Sequence, residues 1–393
     1  MNLFVVLFLC FIDIPLIWLY TRAIKDKIDC PNINFISILF LPTLISLVFS
    51  LILPDKLSFL YTVYIGLCHI IIFTLCLAIK SNYIRSLQTD INFIPNNKKY
   101  IILCVFTILY LLSLYKQLSN AATILNESLL TVFINRGQAL EEHFMMSGWA
   151  LLFRLCTPLA LVFELLRIKT NKNWLFFFVL FFIATSFLGF KKTEPIVGAL
   201  SVVYLNYFYK RIDVKRIISV CCVIAILPFF ITILNFTQSQ STFTELVSET
   251  FTKLLGYFSY QHPAVSKILE GYTVSPENNF QFIGGVLNKI LGGVDTVVTR
   301  GDFVVLDSGR TTNVYSYWGS YFTQFGWFGI IAAPLYIFLL FVIILRFKNK
   351  LLVSLFFANL TLCFFGNMFQ FLIFYVQCFY IQLISLLIIT KSK

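Results

Sequence analysis

The stretch Asp295-Thr-Val-Val-Thr-Arg300-Gly-Asp302-Phe-Val-Val-Leu-Asp307-Ser-Gly-Arg310-Thr-Thr-Asn313-Val-Tyr315-Ser-Tyr-Trp318-Gly319-Ser-Tyr-Phe-Thr-Gln324-Phe-Gly326-Trp327-Phe-Gly329 decides how this chain reads. Its first half is polar, with two arginines and three aspartates. Its second half is aromatic and small, and it runs straight into an apolar segment, Ile330 to Leu345. A charged segment therefore meets a membrane span through a belt of Tyr and Trp. These residues prefer that depth because the ring is apolar while its N–H or O–H stays wet. The rest of the chain reads as a scaffold that holds this segment, and the loop before it, at a membrane face.

Composition agrees. Of 393 residues, 59% are hydrophobic and 12% are charged, and the mean hydropathy is +0.86. A soluble domain carries about 25% charged residues, so this chain cannot wrap itself in a solvated surface. It reads as an all-α polytopic membrane protein. In a soluble chain the net charge of +12 would point to nucleic acid. Here the excess of Lys and Arg in cytoplasmic loops accounts for it, and no basic helix or stacking platform is visible. Nine of the ten cysteines lie in apolar runs, and Cys30 lies in a short loop. That pattern gives no disulfide framework and no metal spacing. The N-terminus lacks a basic leader and a small-residue cleavage site, so it reads as a retained span.

Apolar runs of spanning length fall at 2–20, 33–53, 57–79, 100–115, 147–166, 174–189, 195–209, 217–235, 322–345, 351–366 and 370–389. They predict about 11 transmembrane helices. About eight form an N-terminal bundle over 1–235, and about three form the C-terminal part over 322–393. Between them lies one large outer loop, 236–321. Only Gly366-Asn367 marks the turn between the last two helices. Lys and Arg concentrate in the loops after helices 1, 3, 5, 7 and 9 and in the C-terminal tail, among them Arg22, Lys98, Arg167, Lys210, Arg211, Arg346 and Lys350. Those loops are therefore predicted to be cytoplasmic, with the N-terminus outside and the C-terminus inside.

The cytoplasmic loops are short, and they contain no P-loop, no Gly-x-Gly-x-x-Gly and no Asp-x-Asp. The outer side holds the long loop, a moderate loop at 116–146 and a very short one containing Lys191-Lys192-Thr193-Glu194-Pro195. Within the long loop, Thr242 and Glu245 form a capping box. Phe243, Leu246, Val247, Phe251, Leu254, Leu255 and Phe258 then follow helical spacing. This amphipathic helix is predicted to end at Tyr260-Gln261-His262-Pro263. A shorter helix is predicted over 281–291, closed by Gly292-Gly293.

Several residues could carry chemistry. Arg310 follows the turn signal Ser308-Gly309 and precedes Thr311-Thr312-Asn313 and Tyr315 at the membrane entrance. Its planar, permanently charged fork suits a diphosphate, although it could equally anchor the loop at lipid headgroups. Arg300, Arg136, Lys191 and Lys192 are further cations for an anionic substrate or for bulk headgroups. Glu194 is either an ion-pair partner of the two lysines or a carboxylate of the site. Arg154 lies inside a span, where a charge faces a cavity or snorkels to the interface. His262 is a candidate general base or a structural histidine. Asp307, Asp302 and Glu270 compete with it as bases, and Asp13 is intramembrane and unassigned.

The span count with a single late outer loop resembles the O-antigen polymerases, the oligosaccharide repeat-unit polymerases of bacterial envelopes. The segment Gly309-Arg310-Thr-Thr-Asn313-Val-Tyr315…Gly319…Phe325-Gly326-Trp327-Phe-Gly329 looks like that family's loop exit. Gly189-Phe-Lys191-Lys192-Thr193 is loosely similar to its short basic outer turn, with lysines where relatives often have arginine. The resemblance implies a periplasmic glycosyl transfer in the bacterial inner membrane. An undecaprenyl-diphosphate-linked glycan is the donor, and a lipid-linked repeat unit accepts it at its non-reducing end. It implies no cofactor, cations in place of a metal, and contact with a chain-length regulator. An O-antigen ligase or a lipid-linked oligosaccharide flippase are the alternative readings.

Overall fold

The computed structural model describes residues 2–25, 34–79, 97–134, 150–170, 193–211, 251–252, 255–256, 258–274, 303–312, 315–370 and 372–388. These are mostly helical. The helices are α1 (Asn2–Ile24), α2 (Phe35–Ser50), α3 (Phe59–Leu77), α4 (Asn97–Leu125), α5 (Leu129–Ile134), α6 (Ala150–Phe153), α7 (Cys156–Thr170) and α8 (Thr193–Phe208). They continue with α9 (Gln261–Leu269), α10 (Tyr317–Phe325), α11 (Gly329–Arg346), α12 (Lys350–Thr361) and α13 (Leu372–Ile388). Two short strands, β1 (Val304–Val305) and β2 (Thr311–Thr312), pair antiparallel. Among the described residues, four helical stretches are long and apolar enough to cross a membrane: Asn2–Ile24, Phe59–Leu77, Tyr100–Leu125 and Tyr317–Arg346. Shorter apolar helices accompany them. The predicted spans at 174–189 and 217–235, the helix at 281–291 and the start of the amphipathic helix lie outside the described residues.

The chain divides into two compact units, and each draws on separate stretches of sequence. The first comprises Met1–Gln88, Phe251–Lys348 and Asn359–Leu372. In it α1 packs on α2 and α3, α3 packs on α11, and α9 lies against α2, α3, α10 and β1. Helix starts are fixed locally. Asn34 and Ser37 cap α2 reciprocally, each side chain accepting from the other's backbone N–H, at 2.9 and 3.0 Å. Ser58 caps α3 through the Tyr61 N–H at 3.1 Å, and Ser316 caps α10 through the Gly319 N–H at 3.2 Å. Each cap satisfies a donor that a helix start would otherwise leave unpaired. The close approach of α9 to α10 requires Gly319, because a Cβ there would sit 2.2 Å from Val265 Cγ2. Small residues let backbones approach in this way where lipid supplies no hydrophobic drive between helices.

The second unit comprises Thr89–Thr250, Asn349–Ala358 and Ile373–Lys393. Here α7 packs on α8 and on α4. The fully buried Glu164 accepts from Arg167 Nε at 2.8 Å and from Asn206 Nδ2 at 2.7 Å, which ties α7 to α8.

Two local expectations are corrected. The span predicted over 147–166 is broken at Arg154-Leu155, between α6 and α7. The helix predicted to stop at Tyr260-Gln261-His262-Pro263 only turns at Tyr260 and continues as α9. Proline is tolerated there because the N–H it lacks would have no partner in a first helical turn. The turn read at Gly366-Asn367 stands, with a turn from Phe365 to Gln370 between α12 and α13.

Candidate functional site: a charged hairpin at the start of a span-length helix

The sequence Val-Val-Leu-Asp-Ser-Gly-Arg-Thr-Thr folds as a hairpin. Val304 faces Thr312 and Val305 faces Thr311 across the ladder. Leu306 N–H donates to Arg310 O at 2.7 Å and Gly309 N–H donates to Leu306 O at 3.0 Å. The loop is thus the three residues Asp307, Ser308 and Gly309. Gly309 has φ +77°, the left-handed position that a three-residue hairpin loop needs and that glycine adopts without strain.

Three attachments fix this hairpin to the first unit. Asp55, buried in the connection from α2 to α3, accepts from Ser308 N–H at 2.8 Å and from Ser308 Oγ at 3.1 Å. Lys267 on α9 pairs with Asp307 at 2.8 Å and donates to Val305 O at 2.9 Å. The Lys56 N–H adds a contact to Asp307 Oδ2 at 3.4 Å. The hydrogen bond from Lys267, with lesser help from Lys56, holds the Asp307 carboxyl below its ordinary pKa. Asp307 is exposed, so it stays ionised at neutral pH without contributing much to stability.

Arg310 closes the turn. Its guanidinium is exposed and donates to the Tyr260 hydroxyl, with its carbon 5.7 Å from the Tyr260 ring centre. Among the described residues no carboxylate pairs with it. A phenol and a ring face orient the fork without neutralising it. Beside the hairpin is an open cleft of about 690 Å³ lined by Asn2, Leu3, Leu51 and Lys56. Its walls are mixed: Leu3 and Leu51 are apolar, Asn2 is polar, and Lys56 is exposed. Asn2 braces this edge, donating to Asp55 O at 2.7 Å and accepting from Leu57 N–H at 2.8 Å.

His262 is placed beneath Tyr260 on the same helix start and is fully buried. Its Nε2 lies 2.7 Å from Ser46 Oγ and its Nδ1 lies 2.6 Å from Tyr61 OH. Ser46 donates its proton to Phe258 O and also accepts from Gln261 Nε2 at 2.6 Å. Ser46 must therefore accept from an Nε2–H, which leaves Nδ1 to accept from Tyr61. Burial pushes the His262 pKa down to about 3. The imidazole is neutral and its one lone pair is used. That corrects the reading of His262 as a base open to substrate.

The other predicted residues fall in three groups. Tyr315 is buried in the first unit just before α10. Arg154 and Glu194 belong to the second unit and pair with each other, both largely buried. The Glu194 partner is therefore Arg154, brought to it by the helix break. Arg136, Lys191, Lys192, Arg300, Asp302 and Asn313 lie outside the described residues. Sequence reading missed Tyr260, Asp55 and Lys267. Asp55 carried one signal, an acid next to Lys56 in a short loop predicted on the same side as the long loop.

Fold and site together define a helical protein of span-length apolar helices that presents an exposed arginine, without a carboxylate partner among the described residues, on a braced hairpin at a helix entrance. Comparison with protein-family models, with curated proteins and with solved structures finds no match.

Proposed function

We propose that the chain is a membrane glycosyltransferase that polymerises lipid-linked oligosaccharide repeat units at the periplasmic face of the bacterial inner membrane. The observation that carries the reading is Arg310, a guanidinium held by Tyr260 and with no carboxylate partner among the described residues. Lys56 and Lys267 hold Asp307 on the same hairpin, and the cleft beside it, lined by Leu3 and Leu51 as well as Asn2 and Lys56, offers both an apolar and a polar wall to a lipid diphosphate. Arg310 grips the donor diphosphate through paired, charge-assisted hydrogen bonds. A hydroxyl of the acceptor attacks the anomeric carbon, and the bond to the lipid diphosphate breaks with its electron pair on the leaving oxygen. Cations stabilise that developing charge in place of a metal. The acceptor's proton passes to a carboxylate, for which Asp307, ionised and exposed at the hairpin tip, is the group at hand. The cations Lys191, Lys192, Arg136 and Arg300, read from the sequence, are further candidates to bind the same anionic donor.

The test is surface glycan from cells carrying Arg310→Ala or Arg310→Lys at wild-type protein level. A charged hydrogen bond is worth about 1.5–3 kcal/mol, so Arg310→Ala should lower turnover by about one to two decades. Arg310→Lys keeps the charge but loses the fork, and should be clearly impaired. A gel should show single repeat units on the lipid core. Normal long chains would remove Arg310 from the site. Loss of all repeat units would instead indicate a ligase or a flippase.

A further inference from the structure

Asp13 and His69 lie outside the hairpin site, midway along α1 and α3, the first two helices of spanning length. Neither side chain has exposed surface, and His69 Nδ1 is 2.8 Å from Asp13 Oδ1. Each group keeps one buried polar atom, Asp13 Oδ2 and His69 Nε2, with no hydrogen-bond partner among the described residues. The imidazole stacks on Phe40 at 4.1 Å between ring centres and meets Trp318 edge-on at 5.3 Å.

Joining α1 to α3 does not by itself explain this pair. Asn, Ser or Thr would hydrogen-bond across the helices without the desolvation cost of ionisable groups. The charge balance gives the reason. If Asp13 is ionised and His69 neutral, the pair carries a net negative charge in the bundle interior, and among the described residues no cation lies against it. Among the described residues, Cys10 on α1 and Tyr61 on α3 interact electrostatically with Asp13, and Tyr64 and Cys68 are further titratable groups on α3. His262 on α9 is neutral and engaged with Tyr61. Helix α2 has no titratable residue, α10 presents Trp318, and α11 holds Tyr336 against Tyr321. One proton added at the open Nε2 gives an imidazolium–carboxylate pair of zero net charge. The proton comes from water, and no other bond is made or broken.

We propose that Asp13 and His69 form an intramembrane proton-binding site whose occupancy is sensed by Trp318. Trp318 lies in the first turn of α10, shortly after the Arg310 hairpin, and its carbonyl accepts from Tyr64 OH at 3.0 Å. A change at His69 therefore reaches the helix that follows the hairpin directly.

The full chain in lipid nanodiscs tests this without any transferase assay. Protonated imidazole quenches a touching indole. Lowering the pH from about 8 to about 5 should produce a one-proton loss of emission that Trp318→Phe removes. His69→Gln keeps an amide donor for Asp13 but cannot take up the proton. It should insert and fold with the step abolished, and Asp13→Asn should displace or abolish it. A step that persists in His69→Gln overturns the proposal. Should His69→Gln fail to fold, a wild-type profile with no component removed by Trp318→Phe overturns it equally.

Discussion

His262 shows how a residue type can be noticed and its role still depend on distant partners. Both ring nitrogens are bonded within a closed shell of Ser46, Tyr61 and Phe258. The sign of its pH effect follows. The folded pKa, about 3, lies below the unfolded value of about 6.5. The unfolded chain thus binds a proton that the folded chain refuses. Stability from this residue is full above about pH 6.5 and is lost as pH falls toward the folded value. By pH 5 the loss is about 2 kcal/mol. The thermal midpoint in detergent should drop more between neutral pH and pH 5 for the wild type than for His262→Gln, although the variant starts lower. Equal slopes would mean that the ring is not held neutral. His262 is linked to Ser46 and Tyr61 across 216 and 201 residues. Sequence spacing could therefore mark the histidine but not its shell. Arg310 was more legible, because a turn signal and an aromatic belt flank it locally. Its partner Tyr260 was not, being 50 residues away.

At the scale of elements, the helices follow from apolar run length, and the start of α10 follows from Ser316 and the aromatic run behind it. Two features did not. The hairpin is only two residues wide on each side, too short for alternation to announce it, although Ser308-Gly309 marked its turn. The break at Arg154 was hidden because the run around it stays apolar. Its partner Glu194 becomes visible only when α7 and α8 pack. The junction of α9 with α10 is where the hairpin's supports converge, since α9 carries Lys267 and Tyr260 stands at its N-cap. Gly319→Ala should therefore destabilise the protein by about 1–3 kcal/mol, the usual cost of overpacking. Most of the loss should return in the double variant Gly319→Ala, Val265→Ala, which removes the methyl that the new Cβ meets at 2.2 Å. Thermal midpoints of the four proteins give the coupling. Additive losses would show that the two helices do not depend on this contact.

At the scale of the molecule, the distribution of charge suggests which end of each unit faces which compartment. In the second unit Lys169 lies 5.3 Å and Lys350 4.4 Å from the Tyr209 ring centre. Arg211 donates to Ile168 O at 3.0 Å. Three separate loops, those after predicted helices 5, 7 and 9, thus bring their basic residues to one end. This is the gathering that the positive-inside bias requires of cytoplasmic loops. In the first unit the short connection Leu51–Ser58 binds the hairpin through Asp55, and Ser58 N–H donates to Ser266 Oγ at 2.8 Å. The loop predicted on the outer side after helix 2 therefore meets the long loop predicted on that same side. Together they make a paired prediction. A reporter fused after Gln261 should be active in the periplasm and inactive in the cytoplasm, and one fused after Arg211 should behave oppositely. A substituted cysteine at Ser308 should react with a membrane-impermeant thiol reagent in intact cells, whereas one at Lys348 should react only after permeabilisation. The reversed pattern would place Arg310 on the side of the nucleotide-sugar pool, and a periplasmic polymerase could not then operate through it.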